Sequence, residues 1–477
     1  MQVVMLASLL AAAAPSATYY VRPDGGDAAQ CDGLHDAPYA SAAHRACAWN
    51  HPFAALPPGG PARIAGGDTL LIGAGSYRMG AGAPDTGALE KCRADWPWDC
   101  HAVAIPAGAS ADRPTRILGA GFDSGCHAPP QLWGTQRASR VLDLAGSDNV
   151  EIACLEITDH SSCIEFHNAA EQTVRCERDH GPYGDWAAVG IDAAHAVHVR
   201  LADLNIHGLA HDGVRAGGLR DWTIERVRIV GNGWSGWNGD IGAGSSNRGE
   251  LVFRDVEIAW NGCGERYPGG ARFGCWGQQG GGYGDGLGTG ESSGHWLFER
   301  VHVHHNSQDG IDLLHADASA TLVLRDSVVE DNAGNQVKAS CAARIERSTV
   351  LGRCSALGSA GLDAADRCRA FGNSISLHLP ANARVDISGN RIEGEGDCLI
   401  DLQCAAGTCA GGSVSIVDNR MRGALRTDSA EARSPCSLWV APEWSGSEVR
   451  FSNNELHALR TAGCPKRTGT CTGNRED

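Results

Sequence analysis

The sequence predicts an all-β chain: a right-handed parallel β-helix, with three-strand rungs stacked into one solenoid under an N-terminal capping helix. Three observations predict it. A two-strand pattern repeats along the chain, a shorter Gly-led segment recurs beside it, and asparagines return at one point of the repeat. Self-similarity of this kind marks solenoids, in which no unit buries its own apolar face and stacking supplies the core.

The strand pairs come first. VEIACLEITD (150–159), WTIERVRIVG (222–231), LVFRDVEIAW (251–260), WLFERVHVHH (296–305), LVLRDSVVED (322–331), ARIERSTVLG (343–352), VDISGNRIEG (385–394), VSIVDNRMRG (414–423) and VRFSNNELHA (449–458) each place an apolar residue third and eighth. A polar break such as Arg254-Asp255 or Gly389-Asn390 lies between them. Side chains alternate faces along a strand, so this is two short strands joined at a bend. The third strand is the Gly-led segment: DGVRAG (212–217), DGLGTG (285–290), DGIDLL (309–314) and NQVKAS (335–340). Asn232, Asn261, Asn306 and Asn332 fall just after the strand pairs, where an amide tolerates a left-handed bend and bonds the next rung.

The remaining segments fill in around the repeat. Residues 1–17 read as a secretory signal peptide, with an apolar run from Val3 to Ala14 followed by small residues. Residues 18–463 form the β-helix domain, and 40–56, within a capping segment of about 40–60, read as the helix that closes the core. Residues 261–286 are a Gly-rich loop insertion carrying Tyr267, Phe273, Trp276 and Tyr283, with Trp234 and Trp237 just before it. Residues 464–477 are a polar, frayed tail. The 19 cysteines point to an oxidising compartment, and their odd number leaves at least one unpaired within the chain. Short spacings suggest Cys31–Cys47, Cys92–Cys100, Cys263–Cys275 and Cys464–Cys471. The net charge of −16 argues against nucleic acid, and no stretch after the leader is long and apolar enough to span a bilayer. The expected product is a secreted monomer.

The chemistry is read from the Gly-led segments. Their fourth positions face solvent and give Arg215, Gly288, Asp312 and Lys338; their first positions give Asp212, Asp285, Asp309 and Asn335. Rungs stack at about 4.8 Å, so Asp285, Asp309, Asp312 and Lys338 converge on one patch. Three carboxylates suit a hard cation such as Ca²⁺, and a nearby Lys made less basic by that cation suits a general base. The plainer alternative is an exposed Lys–Asp ion pair beside ordinary Asp-Gly turns. Arg215, His315, Trp276 and Tyr283 are candidates to touch substrate: Arg215 through a sugar carboxylate, His315 by its nearness to Asp312, and the aromatics by stacking on sugar faces. His302, His304 and His305 lie close enough in sequence to suggest a zinc site.

The run QDGIDL (308–313), with Asp285 one rung before and Lys338 one rung after, resembles polysaccharide lyase family nine of the pectate-lyase-like superfamily. GDTLLIGAGSYR (67–78) is similar to the first-strand segment of many such β-helices. The resemblance implies a Ca²⁺ site at Asp285, Asp309 and Asp312, with Lys338 as catalytic base. The family carries adjacent aspartates where this chain has Gln308-Asp309, so one carboxylate is missing. GNQVKAS (334–340) is also similar to the Lys-bearing rung of family six lyases, which act on alginate and related polymers. The GHG and RIK set of polygalacturonases is absent, as is the DPHE run of alginate epimerases.

The expected function is Ca²⁺-dependent β-elimination on an acidic, uronic-acid-containing polysaccharide. The alternative is a non-catalytic glycan binder or adhesin-like surface protein. An enzyme should hold Lys338 open in a groove walled by loop 261–286; a binding module should bury Lys338 in a salt bridge.

Overall fold

The computed structural model describes residues 15–40, 45–93, 99–134, 138–161, 186–242, 244–268, 271–272, 275, 284–360, 368–405, 409–425, 434–444, 448–460 and 469–476. Over these the chain is a right-handed parallel β-helix. Two series of parallel strands, 24 in all, form one sheet system, and a third series forms a ten-stranded sheet.

Each repeat segment supplies one strand to each of the first two series. Arg248–Arg254 and Glu257–Ala259 are followed by His295–Glu299 and His302–His304, then Thr321–Arg325 and Val328–Glu330. The third residues of the repeat stack as Ile224, Phe253, Phe298, Leu324, Ile345, Ile387, Ile416 and Phe451. The eighth residues stack as Ile206, Ile229, Ile258, Val303, Val329, Val350, Ile392, Met421 and Leu456. From the third sheet comes Ile191, Val214, Trp237, Leu287, Ile311, Val337, Ile375, Ile400 and Leu438. The three apolar rows meet in one buried core. Trp237 belongs to it at 1% exposure, edge-on to Trp222 and Phe253, so it cannot line a surface cleft.

The asparagines form the expected ladder. Asn232 Nδ2 donates to Asn261 Oδ1 (2.9 Å), Asn261 to Asn306 (2.9 Å), and Asn306 to Asn332 (2.8 Å); Asn332 ends the run on Gln336 Oε1 (2.8 Å). A second ladder occupies the bend inside the strand pairs: Asn390, Asn419, Asn454 and Asn474 bond in turn at 3.0, 3.1 and 3.1 Å.

The expected capping helix is not found among the described residues of 40–56. Within 40–60 the described residues form a single short 3₁₀ turn, Pro52–Ala54. Alanines favour a helix, but Pro52 and the Pro57-Pro58-Gly59-Gly60 run limit it to one turn. The core end is closed instead by a loop stapled by Cys31–Cys47, with Trp49 stacked on Tyr19 at 5.0 Å. At the other end, Arg475–Glu476 pairs with Glu455–His457, so the last described residues rejoin the stack.

Cys31–Cys47, Cys92–Cys100 and Cys263–Cys275 are bonded as their spacing suggested. Cys126–Cys154, Cys354–Cys368, Cys398–Cys436 and Cys404–Cys409 join them. Cys341 is the free, buried cysteine among the described residues. Residues 1–14 of the expected leader (1–17) and Cys464 lie outside those residues.

Candidate functional site

In each short strand of the ten-stranded sheet the flanking residues point into the core and the middle one points out. The middle positions form a single row in register: Asp143, Asp192, Arg215, Asn238, Gly288, Asp312, Lys338, Ser376, Asp401 and Trp439. A second polar row lies at the turns entering the strands. Asp285 Oδ1 accepts the backbone N–H of Asp309 (3.0 Å), and Asp309 Oδ1 that of Asn335 (2.6 Å). Asn335 Oδ1 accepts that of Asn373 (3.1 Å), and Asn373 Oδ1 that of Cys398 (3.0 Å). Asp285 and Asp309 therefore do the mechanical work of ladder residues as well as bearing charge.

The two rows meet at Lys338. Its Nζ donates to Asp309 Oδ2 (3.0 Å) and Asp312 Oδ2 (2.9 Å). The Lys338 side chain is 16% exposed, Asp309 1%. Burial opposes the ammonium charge, but the charges of Asp309 and Asp312 outweigh it and lift Lys338 above the ordinary lysine range. Burial raises Asp309 to about 6, even with Lys338 pulling the other way. Asp285 is pushed well above the usual carboxylate range, by burial first and then by the like charges of Asp309 and Asp312. Two carboxyl groups thus clasp one ammonium, and the third, Asp285, lies close enough to feel its charge.

Lys338 is consequently clasped rather than open. It lacks the lowered basicity expected of a poised base, because nothing but carboxylates faces its Nζ within hydrogen-bond reach among the described residues.

The donor set nevertheless fits a hard cation. One oxygen each of Asp285, Asp309 and Asp312 lies within 4.8 Å of the others. Gly288 lets the Asp285 carboxylate close in on the strand: a Cβ at that position would stand 2.7 Å from Asp285 Oδ2. That oxygen meets no donor among the described residues, while its partner Oδ1 serves the ladder. All-oxygen ligands and excess negative charge are what Ca²⁺ requires of a protein.

The other expected residues distribute differently. Arg215 sits in the outward row, three rungs from Asp312, with Nη1 3.5 Å from Asp192 Oδ2. His315 is exposed at the turn after Ile311–Leu313, and no side-chain bond ties it to the cluster among the described residues. Trp276 and Tyr283 lie outside the described residues. Tyr267 is 43% exposed and stacks on His160, itself stacked on Trp133, away from the cluster. The zinc reading of the histidines gains no support: His302 Nε2 bonds Glu330 (3.0 Å), His304 Nε2 bonds Glu257 (3.3 Å), and among the described residues no three ligand atoms converge there. Sequence reasoning missed Gly288 as the position that lets the Asp285 carboxylate approach. It also missed that the outward row runs on through Ser376 to Asp401 and Trp439, since the intervening segment 353–374 hides the register.

The sequence matches no protein-family model and no curated protein. Among solved structures the chain is similar to pectate lyase Pel9A, at 14% identity and a TM-score of 0.42 over 91% of this chain and 80% of that one. An alginate lyase from Paenibacillus sp. is similar at 15% identity and a TM-score of 0.39, over 80% of this chain and 92% of its own. The A-module of a mannuronan C-5 epimerase from Azotobacter vinelandii is similar at 12% identity and a TM-score of 0.41, over 86% and 90%. A β-helix hosts many chemistries, so function rests with the side chains of the site.

Proposed function

We propose that the chain is a secreted enzyme that cleaves a uronic-acid-containing polysaccharide by cation-assisted β-elimination. One observation carries the reading. Two consecutive rungs bury carboxylates in the ladder, Asp309 is clasped with the outward Asp312 by Lys338, and one oxygen each of Asp285, Asp309 and Asp312 comes within 4.8 Å of the others. Stacking gains nothing from that charge, and burying it is costly. The cluster rungs enter their strands through short links, 305–310 and 331–336, while the links on either side, 260–286 and 353–374, are long. Long loops around a short-linked floor suit a groove for a polymer. The disulfides suit an oxidising compartment.

Asp285, Asp309 and Asp312 would hold the cation, Ca²⁺ by the chemistry of the set. When bound, it would neutralise the uronate carboxylate and acidify the adjoining C–H. With Asp309 and Asp312 engaged by the cation, Lys338 would lose the carboxylates that keep it protonated, release its proton to water, and as the free amine accept the C–H proton on Nζ. The C–H electron pair becomes the new C=C, and the C–O bond β to the carboxylate breaks. The departing oxygen takes a proton from water. Arg215, farther along the row, would hold another carboxylate of the polymer.

The test is the ultraviolet absorbance of the unsaturated product, followed on pectate, alginate and glycosaminoglycans with Ca²⁺ or with chelator. A Ca²⁺-dependent rise on one polymer, abolished in Lys338→Ala and in the charge-preserving Lys338→Arg, is the expected result. Silence on every polymer by the folded protein would overturn it. The clasped Lys338 favours a second reading in that event, a non-catalytic glycan binder.

A further inference from the structure

The ten-stranded sheet continues beyond the acid cluster. After Lys338 its outward row runs through Ser376, Asp401 and Trp439, one rung at a time. Two to three rungs is about 10–14 Å at the strand spacing. There a cavity of about 370 Å³ opens, lined by Phe371, Asp397, Asp401, Gln403, Trp439 and Arg460 among others.

Its chemistry differs from that around Lys338. Phe371 is 64% exposed and Trp439 41%. Among the described residues five large apolar side chains are exposed, and two of them meet at this cavity. Phe371 stands outward at a φ of 71°, a left-handed conformation unfavourable for a bulky residue. It precedes Gly372, in the link closed by Cys354–Cys368. Next to Trp439 in register, Asp401 accepts from Gln403 Nε2 (2.6 Å) and Ser376 Oγ (3.3 Å), both on Oδ2. Its Oδ1 meets no donor among the described residues. An open aromatic ring beside a fixed carboxyl oxygen offers an apolar face and a hydroxyl acceptor side by side, the pair of contacts a pyranose ring presents in return.

We propose that this cavity is a subsite for a neutral, hydroxyl-rich sugar unit of the polymer cleaved at Lys338, so that the substrate mixes uronic and neutral sugars. Among the described lining residues the carboxyl groups are Asp397 and Asp401 and the guanidinium is Arg460, so a carboxylate on the ligand comes beside two acidic groups. A run of uronates crosses this ground against that charge. A neutral ring crosses it on the aromatic pair. The inference rests on the proposed polysaccharide site, from which it takes the direction of the polymer along the outward row.

The experiment reads binding without turnover. In the Lys338→Arg protein, calorimetry compares two probes with Ca²⁺ present: an oligogalacturonate hexamer, uronic throughout, and a hyaluronan hexamer, in which uronic acid alternates with a neutral N-acetylated sugar. The alternating hexamer should bind more tightly. Trp439→Ala and Phe371→Ala should each weaken it by about tenfold, which is about 1.4 kcal/mol, and leave the uronic hexamer unchanged. Trp439→Phe, which keeps a ring, should retain most of the affinity. Both residues are at the surface, and an unchanged melting temperature certifies each variant as folded. Equal binding of the two hexamers, or variants that alter neither, would overturn the subsite. Elimination activity is scored separately: selective binding without elimination sinks the lyase and leaves the subsite, whereas elimination without selectivity does the reverse.

Discussion

Two polar ladders run through the same rungs and perform the same mechanical task with different groups. At one corner Asn261, Asn306 and Asn332 pass hydrogen bonds from rung to rung through neutral amides. At the turn that follows, Asp285 and Asp309 pass them through carboxylates, and in the next two rungs Asn335 and Asn373 return to amides. The amide ladder carries no net charge and its members are fully buried. The acid ladder forces two carboxyl groups into the same burial, raises both above their ordinary range, and ties one of them, Asp309, to Lys338 together with Asp312. The two rungs that follow manage with asparagine, and two rungs before Asp285 the buried Asp212 accepts the backbone N–H of Ser235 without a lysine, so the convergence of three carboxyl groups and not one buried carboxylate is what sets this stretch apart. The difference separates what the solenoid needs from what it has been given in addition.

Substitutions that exchange the two ladders test that separation. The largest effect belongs to activity. Asp285→Asn keeps the Oδ1 acceptor and the shape, and should lower elimination by about 10²–10⁴-fold if the carboxylate helps to hold the cation that frees a general base. Product absorbance checks it, and a variant of unchanged activity would reduce Asp285 to a ladder residue. Next comes stability. Asn306→Ala removes amide bonds to Asn332 and Ile258 and strands those of Asn261, so urea unfolding should show a loss of about 2–4 kcal/mol. Asp285→Asn in the same assay should be neutral or stabilising by about 1 kcal/mol, since it relieves a buried charge.

Ca²⁺ sharpens the contrast from the other side. At a concentration about a hundredfold above its dissociation constant it should stabilise the native protein by about 2.7 kcal/mol, read as a rise in melting temperature. In Asp285→Asn the rise should shrink or vanish, and in Asn306→Ala it should persist on a lower baseline. A last contrast concerns a charged cluster whose histidine is paired on both sides. His207 donates to Glu156 (2.9 Å) and Glu265 (3.0 Å). Burial alone would lower its pKa, but the two carboxylates override that and hold it at about 9. A histidine raised in the folded state stabilises most below its unfolded value and loses that contribution as pH rises through about 9. Urea unfolding should therefore weaken by about 1–3 kcal/mol between pH 6 and 10, less steeply in Glu265→Gln.

Much of this was legible in the sequence, for a physical reason. Strands alternate with period two and the rungs repeat, so the third and eighth positions of each pair and the recurrent asparagines declared themselves. The meeting of Asp285, Asp309, Asp312 and Lys338 followed from their spacing by one rung each. What stayed hidden depends on register across insertions or on burial. The link 353–374 masked the continuation of the outward row to Trp439. The ladder through Asn390, Asn419 and Asn454 was visible as a recurring sixth position but went unread. Sequence spacing also says nothing of protonation, so the clasp on Lys338 could emerge only from distances. The alanines of the capping segment spoke for a helix that the nearby prolines prevented.

The disulfides carry a consequence for biogenesis. Every bridge among the described residues joins cysteines close in sequence, from 5 residues apart in Cys404–Cys409 to 38 in Cys398–Cys436. Closing so short a loop is entropically cheap, and among the described residues no bridge ties the beginning of the chain to its end. In the oxidising compartment proposed above, a nascent chain could oxidise segment by segment, each bond sealing before distant thiols arrive to compete. Cys341, buried in the core, stays out of that exchange once its own coil has closed over it. Oxidative maturation can thus proceed vectorially, in the order of synthesis, with little need for reshuffling.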